Sequence, residues 1–297
     1  MAGAGAPNLK GSILGILVSP LPPFTPPRFP ATAPMPSRPP SRPLPWLLLA
    51  GSLASLGGLD LGAAVPALAL PAASGPAAAL LQSLETALNA QDEAPLAALL
   101  RAGPGLDPQQ LRQRHRRLHQ QFPDASWQVR QGSPLRDGRP TVTVKVSGTR
   151  VEGGSTYRLD AQQTLILQSD GRQLIGQTVL AESSLLRSGE RALPVIVQIP
   201  DAVLTGQRYN VDLIVDEPLN GALVAGGLTA VSSQQLAAME SPSLDLGALG
   251  GGGLFKTVRA PQTPGSQTWA MLLVHPKGVV SATKRVRVVA DRLGLDP

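Results

Sequence analysis

The most constraining feature of this chain is a strict two-residue alternation through its middle. Val142, Val144 and Val146 interleave with Thr143, Lys145 and Ser147, and Tyr157, Leu159, Ala161, Leu165 and Leu167 continue the period. Successive side chains of an extended strand point to opposite faces, so this spelling fits a sheet kept dry on one side and wet on the other. Trp127 and Val129 open the pattern, and a last strand runs from about Gln173 to Leu186. Gly153-Gly154 and Ser169-Asp170-Gly171-Arg172 supply turns between the strands.

Ahead of the alternation the period changes to that of a helix. Pro76 suits a first turn, and Leu80, Leu81, Leu84 and Leu88 then recur at helical spacing. A second helix begins near Asp92 as N-cap, with Pro95 in its first turn. It carries Leu96, Leu99 and Leu100 inward and stops at Gly103-Pro104. In the third, Asp107 caps, Pro108 takes the first position and Gln110 completes a capping box. Leu111, Leu118 and Phe122 line one side before Pro123.

Helices followed by an antiparallel meander, over residues 70–190, resemble the nuclear transport factor 2-like superfamily in element order and length. That resemblance implies a curved sheet whose helices enclose a conical cavity. Members include isomerases and dehydratases as well as non-enzymatic binding or assembly modules, and the enzymes aim acids, His or Tyr into the cavity. Here the inward strand positions are apolar by period, and Asp160 falls on the face opposite Tyr157 and Leu159. This departure favours a module without a catalytic residue. His115, Trp127 and Tyr157 are the expected lining or mouth of the cavity, with core packing as the competing role for the two aromatics.

Beyond residue 191 helical periodicity nearly vanishes. Strands are expected over 194–199, 209–215, 219–231, 254–258, 268–274 and 279–289, separated by Thr205-Gly206, Asn220-Gly221 and His275-Pro276-Lys277-Gly278. The stretch Ile199–Val215 resembles the opening of many bacterial immunoglobulin-like domains, where a turn glycine precedes the second core strand. Residues 237–243 and Gly250–Gly253 read as a flexible insertion. The expected fold class is therefore α+β: helices on a curved, cone-like antiparallel sheet (70–190), followed by an all-β immunoglobulin-like sandwich (191–297).

The front of the chain reads as an address. Prolines crowd the first 76 residues, and 1–34 shows no durable periodicity, as in a disordered or mis-called extension. Residues 35–69 follow the grammar of a secretory signal: Arg38 and Arg42, an apolar run from Leu44 to Leu56, then Ala67-Leu68-Ala69, whose small side chains suit the peptidase. Gly57, Gly58, Asp60 and Pro66 interrupt the run short of the about 20 apolar residues of a membrane span. The expected location is beyond the cytoplasmic membrane, in a periplasm or equivalent lumen. An N-terminally tethered protein that keeps the segment is the alternative. Absence of cysteine removes disulfides, thiolate metal sites and a lipoprotein anchor.

The net charge of +6 thins out along the chain: after Leu70 there are 22 basic against 19 acidic residues. Nucleic-acid binders show a denser basic face with interleaved aromatics, so no nucleic-acid partner is expected. Arg112, Arg114, His115, Arg116, Arg117 and His119 form the dense basic cluster. Of these, Arg112, Arg116 and His119 share a helical face suited to an anion, or to plain solvation. Ser281-Ala-Thr-Lys284 matches the S-x-x-K of penicillin-recognising enzymes but lies in a strand, which puts Ser281 and Lys284 on opposite faces. Gly250–Gly253 lacks the lysine and helix of a phosphate loop, and three scattered histidines lack metal-ligand spacing. Neither a cofactor nor a metal is expected. The leading expectation is an exported, non-enzymatic binding or assembly module that meets a protein partner or itself, with room for a small apolar ligand. The second is a ligand carrier or a lyase- or isomerase-type enzyme using the same cavity.

Overall fold

In the computed structural model, which describes residues 75–189, 193–217 and 221–295, helices come first and strands dominate. The extension expected over 1–34 and the signal segment over 35–69 lie outside the described residues. The order is α1 (Ala78–Asn89), α2 (Ala94–Ala98), α3 (Pro108–Gln121), β1 (Ser126–Gln131), β2 (Val142–Glu152), β3 (Ser155–Ser169) and β4 (Leu174–Ser188). Then follow β5 (Val195–Gln198), β6 (Ala202–Leu204), β7 (Arg208–Val215), β8 (Ala225–Val231), α4 (Ser233–Ala238), β9 (Gly247–Ala248), β10 (Gly253–Arg259), β11 (Gly265–His275) and β12 (Gly278–Val289).

Local chemistry explains the helix ends. Asp107 accepts from the backbone N–H of Gln109 at 3.0 Å and of Gln110 at 3.2 Å, with Pro108 where its missing N–H costs nothing. Gln110 contributes only its backbone here; the reciprocal capping box forms instead at α4, between Ser232 and Gln235. α2 ends at Ala98 rather than at Gly103. Leu99 and Arg101 exchange backbone bonds with Leu174 (2.8 and 2.9 Å), drawing the chain out of the helix and onto the start of β4. Gly103 then lies against the Ile175 carbonyl, where an added Cβ would come to 1.7 Å.

The strands form a nine-stranded sheet in the order β1-β2-β3-β4-β12-β11-β8-β9, with β6 parallel to β12, and a three-stranded sheet in the order β10-β7-β5. This corrects the expected fold class. The described residues are mostly β, and they show neither a separate helix-lined cone nor a free-standing immunoglobulin-like sandwich. β4 pairs antiparallel with β12, from Arg187↔Val280 to Glu182↔Arg285, so one sheet runs through both halves of the sequence. The cause is in β4 itself, where apolar or small side chains occupy both faces. Leu186 joins the core under the helices and Leu185 packs on the opposite core. A strand of that kind needs cover on both sides and neighbours on both edges.

Two cores result, on opposite faces of the long sheet. On one face, Leu80, Leu84 and Leu88 of α1, Leu96 of α2, and Leu111 and Leu118 of α3 pack on Trp127, Val144, Val146, Leu159 and Leu165. On the other, Val211, Leu213 and Leu254 of the small sheet pack on Met271, Leu273, Val280, Ala282 and Val286. The layers are therefore staggered. Helices cover one end of the long sheet on one side, and the small sheet covers the other end on the reverse. The outward face of β1–β4 carries Gln128, Lys145, Ser147, Asp160 and Gln162 and is exposed.

β1 is an edge strand, and its open backbone is closed by α1. Asn89 clamps Trp127, its Oδ1 accepting from the backbone N–H and its Nδ2 donating to the carbonyl, both at 2.9 Å. One turn earlier Glu85 accepts from the Val129 N–H at 2.7 Å and pairs with Arg130. Two helical side chains four residues apart thus imitate a neighbouring strand, which removes a template for unwanted pairing. Replacing Asn89 with Ala leaves two part-buried backbone groups unpaired. The expected loss is about 1–3 kcal/mol, read by chemical denaturation, together with increased self-association; unchanged stability would refute the clamp.

Candidate functional site

The sequence-derived residues separate into distinct environments. His115 is 1% exposed, at the centre of α3, with its ring 6.2 Å from that of the equally buried Trp127. His115 and His119, rings 4.5 Å apart and edge-on, both donate through Nε2 to the Leu88 carbonyl, at 2.8 and 3.1 Å. That carbonyl belongs to the last turn of α1, where no helical N–H reaches it, so the imidazoles act as its cap. Tyr157 lies elsewhere, in a stack where the Arg150 guanidinium is 5.1 Å from its ring and 5.3 Å from the Phe122 ring. The core between helices and sheet is built mainly from leucines and valines, with Phe122 and Trp127 among them.

Within the basic cluster, Arg116 is held by Glu93 through two bonds, at 2.6 and 3.2 Å. Arg112 is half-buried with its Nε enclosed and unbonded. Arg114 turns the other way and donates to the Leu236 carbonyl of α4 at 3.3 Å. Burial lowers its affinity for a proton, and Glu182 opposes that effect. The inward positions of β3, β4 and β12 are not wholly apolar: Gln163, Glu182, Ser184 and Thr283 are buried there. Glu182 lies 3.7 Å from Arg285, and its other oxygen is enclosed without a partner. The acid is single, and among the described residues no group of three His, Asp or Glu is arranged to hold a metal ion.

A groove of about 570 Å³ opens on the reverse side, over the outward face of β1–β4. Its floor is Ser126, Gln128, Lys145, Ser147, Gln162 and Ser183, and one wall is Val195 and Val197 of β5. Asp160 and Lys284 also line it, but Asp160 is paired with Arg187 and Lys284 with Asp201. The six floor side chains form no hydrogen bond or ion pair with other described residues. No aromatic ring or histidine lines the groove. It offers hydroxyls, amides and one cation without an acid partner among the described residues, groups able to hydrogen-bond a polar ligand. The outward residues were legible from the alternation. The wall was not, because β5 reaches them only through the stacking of two sheets.

Among these groups His115 contributes a response to acid. Burial holds its basicity below the ordinary value; the bond to Leu88 opposes this, neighbouring His119 adds to it, and Glu93 opposes it. Its Nδ1 is enclosed and unpaired, so a second proton would have no acceptor. Above about pH 6.5 both folded and unfolded imidazoles are neutral and the full stability is present. As pH falls the unfolded chain takes the proton first, so stability is lost until the folded imidazole is also protonated. Denaturation at about pH 7 and about pH 5 should show this loss, and His115→Gln, which keeps a donor for Leu88 without titrating, should show a smaller one. Equal losses in both proteins would refute the assignment.

Residues 190–289 match the model of a family described as Domain of unknown function (DUF8623), covering β5 to β12. No curated protein matches the chain.

Proposed function

We propose that this chain is an exported, non-enzymatic binding or assembly module whose working surface is the open outward face of β1–β4. The carrying observation is the groove: six uncommitted polar side chains on a rigid sheet floor beside the wall of a second layer. Rigid strands hold donors and acceptors at fixed spacing, which lowers the ordering cost of binding. The helix-covered interior is packed mainly with leucine and valine, whereas the outer face carries an accessible hollow. Export follows from the signal-like segment over 35–69, with the absence of cysteine in keeping with an oxidising compartment. No described helix is long and apolar enough to cross a membrane.

The cysteine-free chain makes the test clean. Ser183→Cys, in the groove, and Arg172→Cys, on the exposed β3–β4 turn, each accept a single photoactivatable label. In the producing cell's extracytoplasmic extract, the groove label should capture a defined partner and the turn label should not. Equal capture, or none from the groove, would overturn the reading. The intact mass of the protein in that fraction should correspond to a chain beginning after Ala69. A full front end recovered with membranes would favour the tethered form.

A further inference from the structure

We infer that β5 is a docking edge, and that an extended, acidic polypeptide segment adds to it as a further strand lying over the groove floor. This rests on the groove reading above and names its ligand. β5 ends the order β10-β7-β5, so among the described residues one of its sides has no strand. Asp216 N–H donates to the Pro194 carbonyl at 2.9 Å, and the register then continues as Val195↔Val215, Ile196↔Ile214, Val197↔Leu213 and Gln198↔Asp212. Antiparallel pairs alternate between bonded and non-bonded, so Ile196 and Gln198 bond to β7. Val195 and Val197 turn their N–H and C=O groups to the free side. Val215 fits this pattern, donating away from β5 to the Gly252 carbonyl at 2.6 Å.

Those free groups border the groove, because Val195 and Val197 are its wall. β1 has its edge closed by Asn89 and Glu85; β5 has no such cover among the described residues. A strand added at the usual spacing of about 4.8 Å would send alternate side chains down onto the floor. The floor decides their chemistry. Serine hydroxyls and glutamine amides want hydrogen-bonding partners, and Lys145 is the cation without an acid, since Lys284 and Asp160 are already matched. A second copy of β5 fits poorly, because its own valines would be pressed over Lys145 and Gln162. An acidic, hydroxyl-bearing segment meets both the edge and the floor.

The test uses the full chain and two fluorescein-labelled heptapeptides, one alternating glutamate with threonine and the other lysine with threonine, read by anisotropy. The acidic peptide should bind, more weakly as salt rises, and the basic one should not. Val197→Pro removes an outward N–H without touching the β7 ladder and should weaken binding by about tenfold or more. Lys145→Glu should weaken it about as much and move preference to the basic peptide. Should the proline variant fail to fold, the acidic peptide N-methylated at alternate residues keeps every side chain, removes strand-forming N–H groups, and should lose binding to the unaltered protein. Undiminished binding by the folded proline variant or by the methylated peptide overturns the proposal. So does equal binding of the two peptides, binding of neither, or dimerisation of the chain that Val197→Pro abolishes. Those results leave the groove reading to be decided separately by capture from Ser183→Cys.

Discussion

The pairing of β4 with β12 is the contact on which the arrangement depends. It joins strands separated by most of the second half of the sequence, and it places a buried polar pair at the seam: Ser184 Oγ lies 2.6 Å from Thr283 Oγ1. Beside it, Glu182 and Arg285 face each other across the same two strands. Hydroxyls paired in a dry interior satisfy each other, whereas a slip of one residue would leave them unpaired and turn Leu185 and Leu186 to the wrong cores. Polar and apolar requirements therefore select the same register. The seam holds two cores together without mixing them.

A staggered stack follows. Helices cover the β1–β4 end on one face, and the small sheet covers the β12–β11–β8 end on the other. Had both layers lain on one side, β4 would have kept a leucine in water. Staggering also leaves the outward face of β1–β4 uncovered by any described element, with a step where the small sheet stops. The groove is that step. Its polarity is a consequence of the fold, because the strand period that supplies Val144 and Val146 to the core supplies Lys145 and Ser147 to the floor.

The two ends of the structure treat exposed strand edges differently. At β1, Asn89 and Glu85 occupy the backbone groups that a foreign strand would use. The helix that supplies them is itself held at its end by His115 and His119 through the Leu88 carbonyl, so capping and edge protection share one helix. At β5, among the described residues, the edge stays open beside a floor of side chains without hydrogen-bond or ion-pair partners. An open edge carries an aggregation risk, and retaining one next to a hydrogen-bonding surface is consistent with use for recognition.

Much of this was written in local spelling. The alternation of Val142 to Ser147 determined which side chains face the core, the leucine spacing determined α1 and α3, and Asp107-Pro108 determined where α3 begins, because each depends on backbone geometry within a few residues. The inward Glu182 and Ser184 were hidden, since a polar residue at an apolar phase acquires meaning only from its partner on β12, about a hundred residues away by the reach of the Ser184–Thr283 bond. His115 looked like a cavity residue, yet its role as a cap for Leu88 required α1 and α3 to be packed together. Tertiary structure alone decided that β4 continues into the second half and that β5 overhangs the polar face, because strand neighbours are chosen by the burial of whole faces, a property that no single segment carries.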